Sequence, residues 1–187
     1  MDEQEIIKGC LRNDRNCQKK LYERFYSKML VVCLRYAKNR DEAKDMLQEG
    51  MLKVFDNLKH FGNKGSFEGW IRRIITNCAI DHLRKNKHEY LIVNTVYASE
   101  VNHGQLDKEV TDDDIIFSLK PEDVMRAVQQ LTPAYRTVFN LYVMEELSHK
   151  EIAEMLDISE GTSKSNLAKA KFNLRKNLAH LINKVPK

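Results

Sequence analysis

Ser148-His149-Lys150-Glu151-Ile152-Ala153-Glu154-Met155-Leu156-Asp157-Ile158-Ser159-Glu160-Gly161-Thr162 is the stretch from which the fold is read. Ser148 followed three residues later by Glu151 is a capping box: each side chain satisfies the other residue's exposed backbone amide, so a helix begins sharply there. Ile152, Ala153 and Leu156 share its buried side, and Ala153 is small enough to let a second helix come close. Asp157-Ile158 makes the turn, and Ser159 caps the second helix from Glu160 onward. Two helices coupled this tightly form a helix-turn-helix.

The second helix buries Leu167, Ala170, Leu174 and Leu178, spaced three, four and four apart. At about 100° per residue, Ser165, Lys169 and Lys176 fall opposite that stripe, with Lys164 and Lys171 on its flank. No acid follows Glu160, whereas Lys164, Lys169, Lys171, Arg175, Lys176, Lys184 and Lys187 do. Such a helix suits a major groove, with its early residues near base edges and its lysines on phosphates. A soluble helical hairpin is the competing reading. Upstream, Pro121 and Thr132-Pro133 each mark a first helical turn. Val124, Ala127, Val128 and Leu131 follow the first, and Val138, Leu141 and Tyr142 the second.

Helical periodicity governs the N-terminal half as well. Cys17, Leu21, Phe25, Met29, Val32 and Tyr36 make one long stripe. Asn39 or Asp41 caps a helix carrying Ala43, Met46, Leu47, Gly50, Met51, Val54, Phe55 and Leu58, expected antiparallel to its predecessor. Gly62-Asn63-Lys64-Gly65 ends that helix, and Ser66 with Glu68 starts another running to about Lys87. On it Phe67, Ile71, Ile74, Ile75 and Cys78 share an apolar side, while Arg73, Asn77, Asp81, Arg84 and His88 form a polar stripe that includes Trp70. A wet aromatic beside arginine and asparagine suits stacking on an unpaired base; packing of Trp70 under a neighbouring loop is the alternative. Asp81 repels a phosphate but accepts from a base amine. Three helices and a short leader make a bundle.

Residues 89–120 lose the period and include Thr111-Asp112-Asp113-Asp114, so they read as a linker, with Leu91-Ile92-Val93 able to dock. The 187 residues then divide into two small all-α domains, 1–88 and 121–187, joined by 89–120. That leaves no room for a large enzyme with separate cofactor and substrate domains. The net charge of +4 hides an alternation of +6 over 1–90, −4 over 91–120 and +2 over 121–187. Both predicted domains therefore carry the sign a polyanion attracts.

Cys10, Cys17, Cys33 and Cys78 match neither a metal knuckle nor a compact disulfide framework, and the six histidines show no ligand pairing. Buried free thiols are expected, and no metal or other cofactor. The longest apolar run, Met29 to Leu34, is six residues against the roughly 20 of a membrane span. The acidic start Met1-Asp2-Glu3-Gln4-Glu5 is unlike a secretory signal. A cytoplasmic protein is expected.

Asp41-Glu42-Ala43-Lys44-Asp45-Met46-Leu47-Gln48-Glu49, Ser66-Phe67-Glu68-Gly69-Trp70-Ile71-Arg72-Arg73-Ile74, Asn77 and Asp81-His82-Leu83-Arg84-Lys85 together resemble region two of bacterial sigma factors. Leu131-Thr132-Pro133, Tyr135-Arg136, Val138-Phe139, Leu147-Ser148, Ile158-Ser159-Glu160-Gly161-Thr162 and Lys164-Ser165 resemble region four. Their order and spacing, with no domain between them, resemble the extracytoplasmic-function group of the sigma-70 family. The resemblance implies transcription initiation with core RNA polymerase and promoter DNA as partners. It implies docking of Asp45, Gln48 and Glu49 on the clamp helices of the polymerase largest subunit, and of region four on the flap of the second-largest subunit. It places capture of an unpaired minus-ten base at the Gly62 to Gly65 loop, with Lys64, Trp70, Arg73 and Asn77, and Asp81 falls in the same stripe. Arg84, Lys85 and Lys87 then lie along the adjoining backbone. Thr162, Lys164, Ser165, Lys169 and Lys171 fall on positions that touch the minus-thirty-five element.

Three positions depart from the family pattern: Asp157 where glycine is usual, Ser163 for an apolar core residue, and Asn166 for a common basic one. They imply weak reading of upstream DNA and recruitment through another protein; an anti-sigma factor is a further partner of the family. The acidic linker fits the family's connector, which threads toward the template channel, and equally a solvated tether. The competing function is a stand-alone helix-turn-helix regulator that never engages polymerase. A hydrolase requires a nucleophile with a base, or clustered carboxylates, and the sequence holds neither pattern.

Overall fold

The computed structural model describes residues 2–62, 65–85 and 120–182. Its contacts divide the chain into two units, with the boundary after Lys85. Unit one holds α1 (Glu3–Leu11), α2 (Arg15–Tyr36), α3 (Arg40–Asn57), a 3-10 turn (Leu58–His60) and α4 (Phe67–Lys85). Unit two holds α5 (Pro121–Gln129), α6 (Pro133–Val143), α7 (His149–Leu156) and α8 (Glu160–Ile182). Among the described residues every regular element is helical. Of the expected linker 89–120, all but Lys120 lies outside the described residues.

Each helix of unit one starts on a side-chain cap, which supplies a partner to an amide that the helix itself leaves bare. Asp2 and Glu5 form a reciprocal capping box, at 2.7 and 2.9 Å. Asp14 accepts from the amides of Asn16 and Cys17, Asn39 from that of Glu42, and Ser66 from that of Gly69. The leader is thus a helix in its own right, burying Ile6, Ile7 and Cys10 against α2. The Asp2-to-Glu5 spacing was its signal in the sequence.

The α2 stripe is buried throughout, from Cys17 to Tyr36. It meets Met46, Leu47, Met51 and Val54 of α3 and Ile71, Ile75 and Cys78 of α4 in one core. Gly50 sets the distance between α3 and α4. A Cβ built there lies 2.5 Å from Ile75 Cδ1, 3.5 Å from Ile75 Cα and 3.6 Å from Cys78 Cβ, so a side chain at this position displaces the buried end of Ile75. Ile74, expected in the core, is half-buried because it lines a cavity between these helices.

In unit two, α8 packs on α5, α6 and α7. Ala127, Val128, Leu131, Ala134, Tyr135, Ala170 and Leu174 form its core, with Leu178 packed at the margin. Tyr142 lies at the exposed end of α6. It is 38% exposed and stacks on His149, with ring centroids 4.6 Å apart.

All four cysteines are free thiols and at most 5% exposed. Burial, with the neighbouring Cys17 and Asp14 charges adding, pushes the Cys10 thiol up to about 11. Burial and the Cys78 charge push Cys33 up to about 12. The folded chain therefore keeps protons that the unfolded chain releases above about pH 8.5. Stability from these groups is full below that pH and is lost as pH rises through about 12. Two outcomes are expected. A maleimide labels all four thiols rapidly only after denaturation, and rapid labelling of two or more in the native chain contradicts the burial. The urea midpoint falls between about pH 8 and about pH 10, and a midpoint that rises contradicts the assignment.

Candidate nucleic-acid interface

The last turns of α3 and the face of α4 border an open concavity of about 290 Å³, just under the roughly 300–1,000 Å³ typical of ligand sites. Lys53, Asn57 and His60 line it from the α3 side, and Trp70, Ile74, Asn77, Cys78 and Asp81 from α4. Of the residues expected from the sequence, Trp70, Asn77 and Asp81 meet here. Arg73 and Arg84 are exposed on the same helix. Lys64 and Lys87 lie outside the described residues, as does His88.

Trp70 is half-buried rather than wet. It stacks on Phe67 at 5.8 Å with an interplanar angle of 14°, and its centroid lies 5.3 Å from that of Phe61. Phe67 in turn meets Phe25 of the core edge-on at 5.6 Å. This aromatic chain fixes the indole at the cavity wall. Both sequence readings of Trp70 thus have a place: it packs against Phe61, beyond the 3-10 turn, and it lines a concave site.

A run of ion pairs crosses from α3 to α4. Lys53 Nζ donates to Asp81 Oδ2 at 3.2 Å and lies 3.6 Å from Glu49 Oε1; Lys85 Nζ is 3.5 Å from that same oxygen. Burial alone lowers the Lys53 ammonium pKa. The hydrogen bond to Asp81 and the charges of Cys78, Asp81 and Glu49 outweigh it, so the pKa lies above the ordinary lysine value. Asp45 and Gln48 are exposed on α3, and Glu49 is half-buried. Glu49 is therefore shared between an outward position and the cavity's ionic wall.

Lys53, Asn57 and His60 are the residues that sequence reading missed. Their spacing of four and three puts them on one face of the α3 helix and its 3-10 extension. Asn57 Nδ2 donates to the Lys53 carbonyl at 2.8 Å, tying the last turn together.

In unit two the helix-turn-helix has the local chemistry its sequence requires. Ser148 and Glu151 form the capping box, Asp157 takes the left-handed conformation (φ 56°, ψ 51°) that ends α7, and Ser159 Oγ accepts from the Thr162 amide at 3.0 Å. Ser163 is fully buried and hydrogen-bonds His149 Nδ1 at 2.9 Å, so a polar clamp joins the two helices where an apolar contact is usual.

Thr162, Ser165 and Lys169 line one concavity with Tyr135, Ser159, Gly161 and Asn166. Lys164 and Lys171 are exposed, Lys164 being 4.0 Å from Glu160. Asn166 is 6% exposed. Its departure from a basic residue thus concerns packing as much as charge.

Comparison with known proteins agrees with this arrangement. Residues 21–89 match the family Sigma-70 region 2, and residues 122–173 match Sigma-70, region 4. The chain is similar to the ECF RNA polymerase sigma factor SigW of Bacillus subtilis (strain 168), at 31% identity over 94% of this chain and 96% of the relative. It is also similar to the RNA polymerase sigma-H factor of Pseudomonas aeruginosa, at 26% identity over 96% and 95%. Among solved structures it resembles the sigma factor RpoE in complex with the anti-sigma factor NepR from Bartonella quintana. There the TM-score is 0.51 at 19% identity, covering 86% of this chain and 96% of that one, a likeness of fold.

A side chain in the left-handed conformation of Asp157 is strained by up to about 1–2 kcal/mol, less for aspartate than for most residues. Asp157→Gly is expected to raise the stability of the full chain by up to about 1 kcal/mol, measured by urea denaturation. A loss of stability contradicts the assigned turn.

Proposed function

The chain belongs to the extracytoplasmic-function group of the sigma-70 family, and from that premise we propose that it is a specificity subunit of bacterial RNA polymerase. In this role it binds core enzyme, recognises promoter DNA and promotes strand opening, acting in the cytoplasm and without chemistry of its own. The observation that carries the reading is the pairing, in one chain and in order, of the two matched regions, each with a preformed surface suited to its task. An anti-sigma factor or another recruiting protein is a further partner in this reading.

We assign the exposed Asp45 and Gln48, with Glu49, to polymerase docking. The α3–α4 cavity then receives an unpaired base of the minus-ten element. Unstacking a base costs a few kcal/mol, and an indole held rigid by Phe67 and Phe61 offsets part of that by stacking. Arg73, Arg84 and Lys85, with Lys64 and Lys87, accompany the strand backbone. Thr162, Lys164, Ser165, Lys169 and Lys171 serve the upstream duplex. The Thr162 hydroxyl already engages Ser159 at 2.9 Å, which leaves the lysines as the electrostatic part of that contact.

Two measurements test this, on a promoter selected by the holoenzyme from random fragments. Trp70→Ala is expected to weaken opening, read from 2-aminopurine fluorescence in the melted segment, by about 1–3 kcal/mol, the worth of one stacked base. Recruitment, read by gel shift of the closed complex, should change little. Equal loss of both makes Trp70 structural. Lys171→Gln in the full chain with core enzyme should flatten the log–log salt dependence of closed-complex formation by about 0.9. An unchanged slope removes Lys171 from the duplex contact.

A further inference from the structure

Lys53 stands at the junction of two sets of charges and has no role in the reading above. It extends from α3 into the cavity that Trp70 and Asn77 line. It is the ion-pair partner of Asp81 among the described residues, and it shares Glu49 with Lys85. Asp81 poses a difficulty for strand capture, because its side chain is 49% exposed beside a site assigned to a polyanion. An uncompensated carboxylate there repels the incoming phosphodiester, and low salt strengthens the repulsion.

We propose that Lys53 is a positioning residue for strand capture: it neutralises Asp81 and holds its carboxylate at the cavity wall, so that the single strand can approach. This rests on the assignment of the cavity to an unpaired base and adds the condition under which that base enters. The geometry supplies the means. Lys53 Nζ reaches one carboxylate oxygen, Asp81 Oδ2, leaving Oδ1 to accept from a captured base.

The ammonium has three donors. One donates to Asp81, the Cys78 thiol is a further hydrogen-bond partner, and the Glu49 carboxylate at 3.6 Å adds charge, so the side chain is held at both helices. The approach of α3 to α4 at Gly50 brings a lysine of one helix within reach of an aspartate of the other. Asn57, bonded to the Lys53 carbonyl, keeps the last turn of α3 in register with that contact.

The plainer role is an ionic staple between α3 and α4, and the two roles separate by experiment. Holoenzymes carrying wild-type chain, Lys53→Met, Lys53→Arg, Asp81→Asn or Lys53→Met with Asp81→Asn are compared for opening by 2-aminopurine fluorescence, with the thermal stability of each free chain measured alongside. Positioning predicts that Lys53→Met lowers the opening equilibrium about threefold to tenfold, consistent with loss of a half-exposed pair beside a polyanion, and more at low salt than at high. Lys53→Arg retains opening, and adding Asp81→Asn to Lys53→Met restores it to within about 1.5-fold of wild type, because the repelling charge is gone.

Wild-type opening by Lys53→Met overturns the proposal. So does a double variant as impaired as Lys53→Met, the pattern of a staple, in which opening follows thermal stability. If the wild-type holoenzyme itself opens no promoter, the assignment of function fails first. If it opens and Lys53→Met opens equally, only this inference fails.

Discussion

The close approach of α3 and α4 at Gly50 is the constraint on which unit one depends. A methyl group at that position runs into the Cδ1 end of Ile75, which is itself fully buried, so accommodating it means repacking a core side chain. Everything proposed for this unit follows from that contact. It turns Asp45 and Gln48 outward on one side of α3. On the other it leaves a cavity floored by Cys78 and Ile74 and walled by Lys53, Trp70 and Asp81. The surfaces we propose for polymerase docking and for strand capture are then two sides of one helix pair, and Glu49 is proposed for the first while ion-pairing with Lys53 of the second.

Unit two applies the same economy to a turn. The capping box at Ser148, the left-handed Asp157 and the Ser159 cap fix where α7 stops and α8 begins. The His149–Ser163 hydrogen bond then joins the helices across that turn. A part-buried hydrogen bond of this kind contributes about 0.5–1.5 kcal/mol, below the roughly 1.5–3 kcal/mol of a fully buried aliphatic side chain. Ser163 therefore exchanges part of the apolar packing for a specific polar link between the two helices.

Local rules made most of the fold legible. The α2 stripe, the Asn39, Ser66, Ser148 and Ser159 caps and the two proline starts each depend on neighbours within four residues, so a linear reading finds them. Contacts between distant segments were not legible. Trp70 stayed ambiguous because its neighbour Phe61 precedes the helix start and lies off the α4 wheel. Ile74 was placed in the core because a wheel does not show a cavity. The stacking of Tyr142 on His149 is not visible on a helical wheel, because His149 belongs to the next helix. Lys53 was passed over because its pairing with Asp81 spans 28 positions. The leader is a different case: its capping box was readable, and only its hydrophobic content was too short to announce a stripe.

The central claim is that this chain opens promoter DNA only as part of a larger enzyme. Permanganate reactivity of thymines near the start site measures it most directly. The account predicts reactive thymines when chain and core RNA polymerase are present together, and none with either alone. Thymines made reactive by the chain without polymerase, or left unreactive by the assembled holoenzyme on a promoter it has selected, would contradict it.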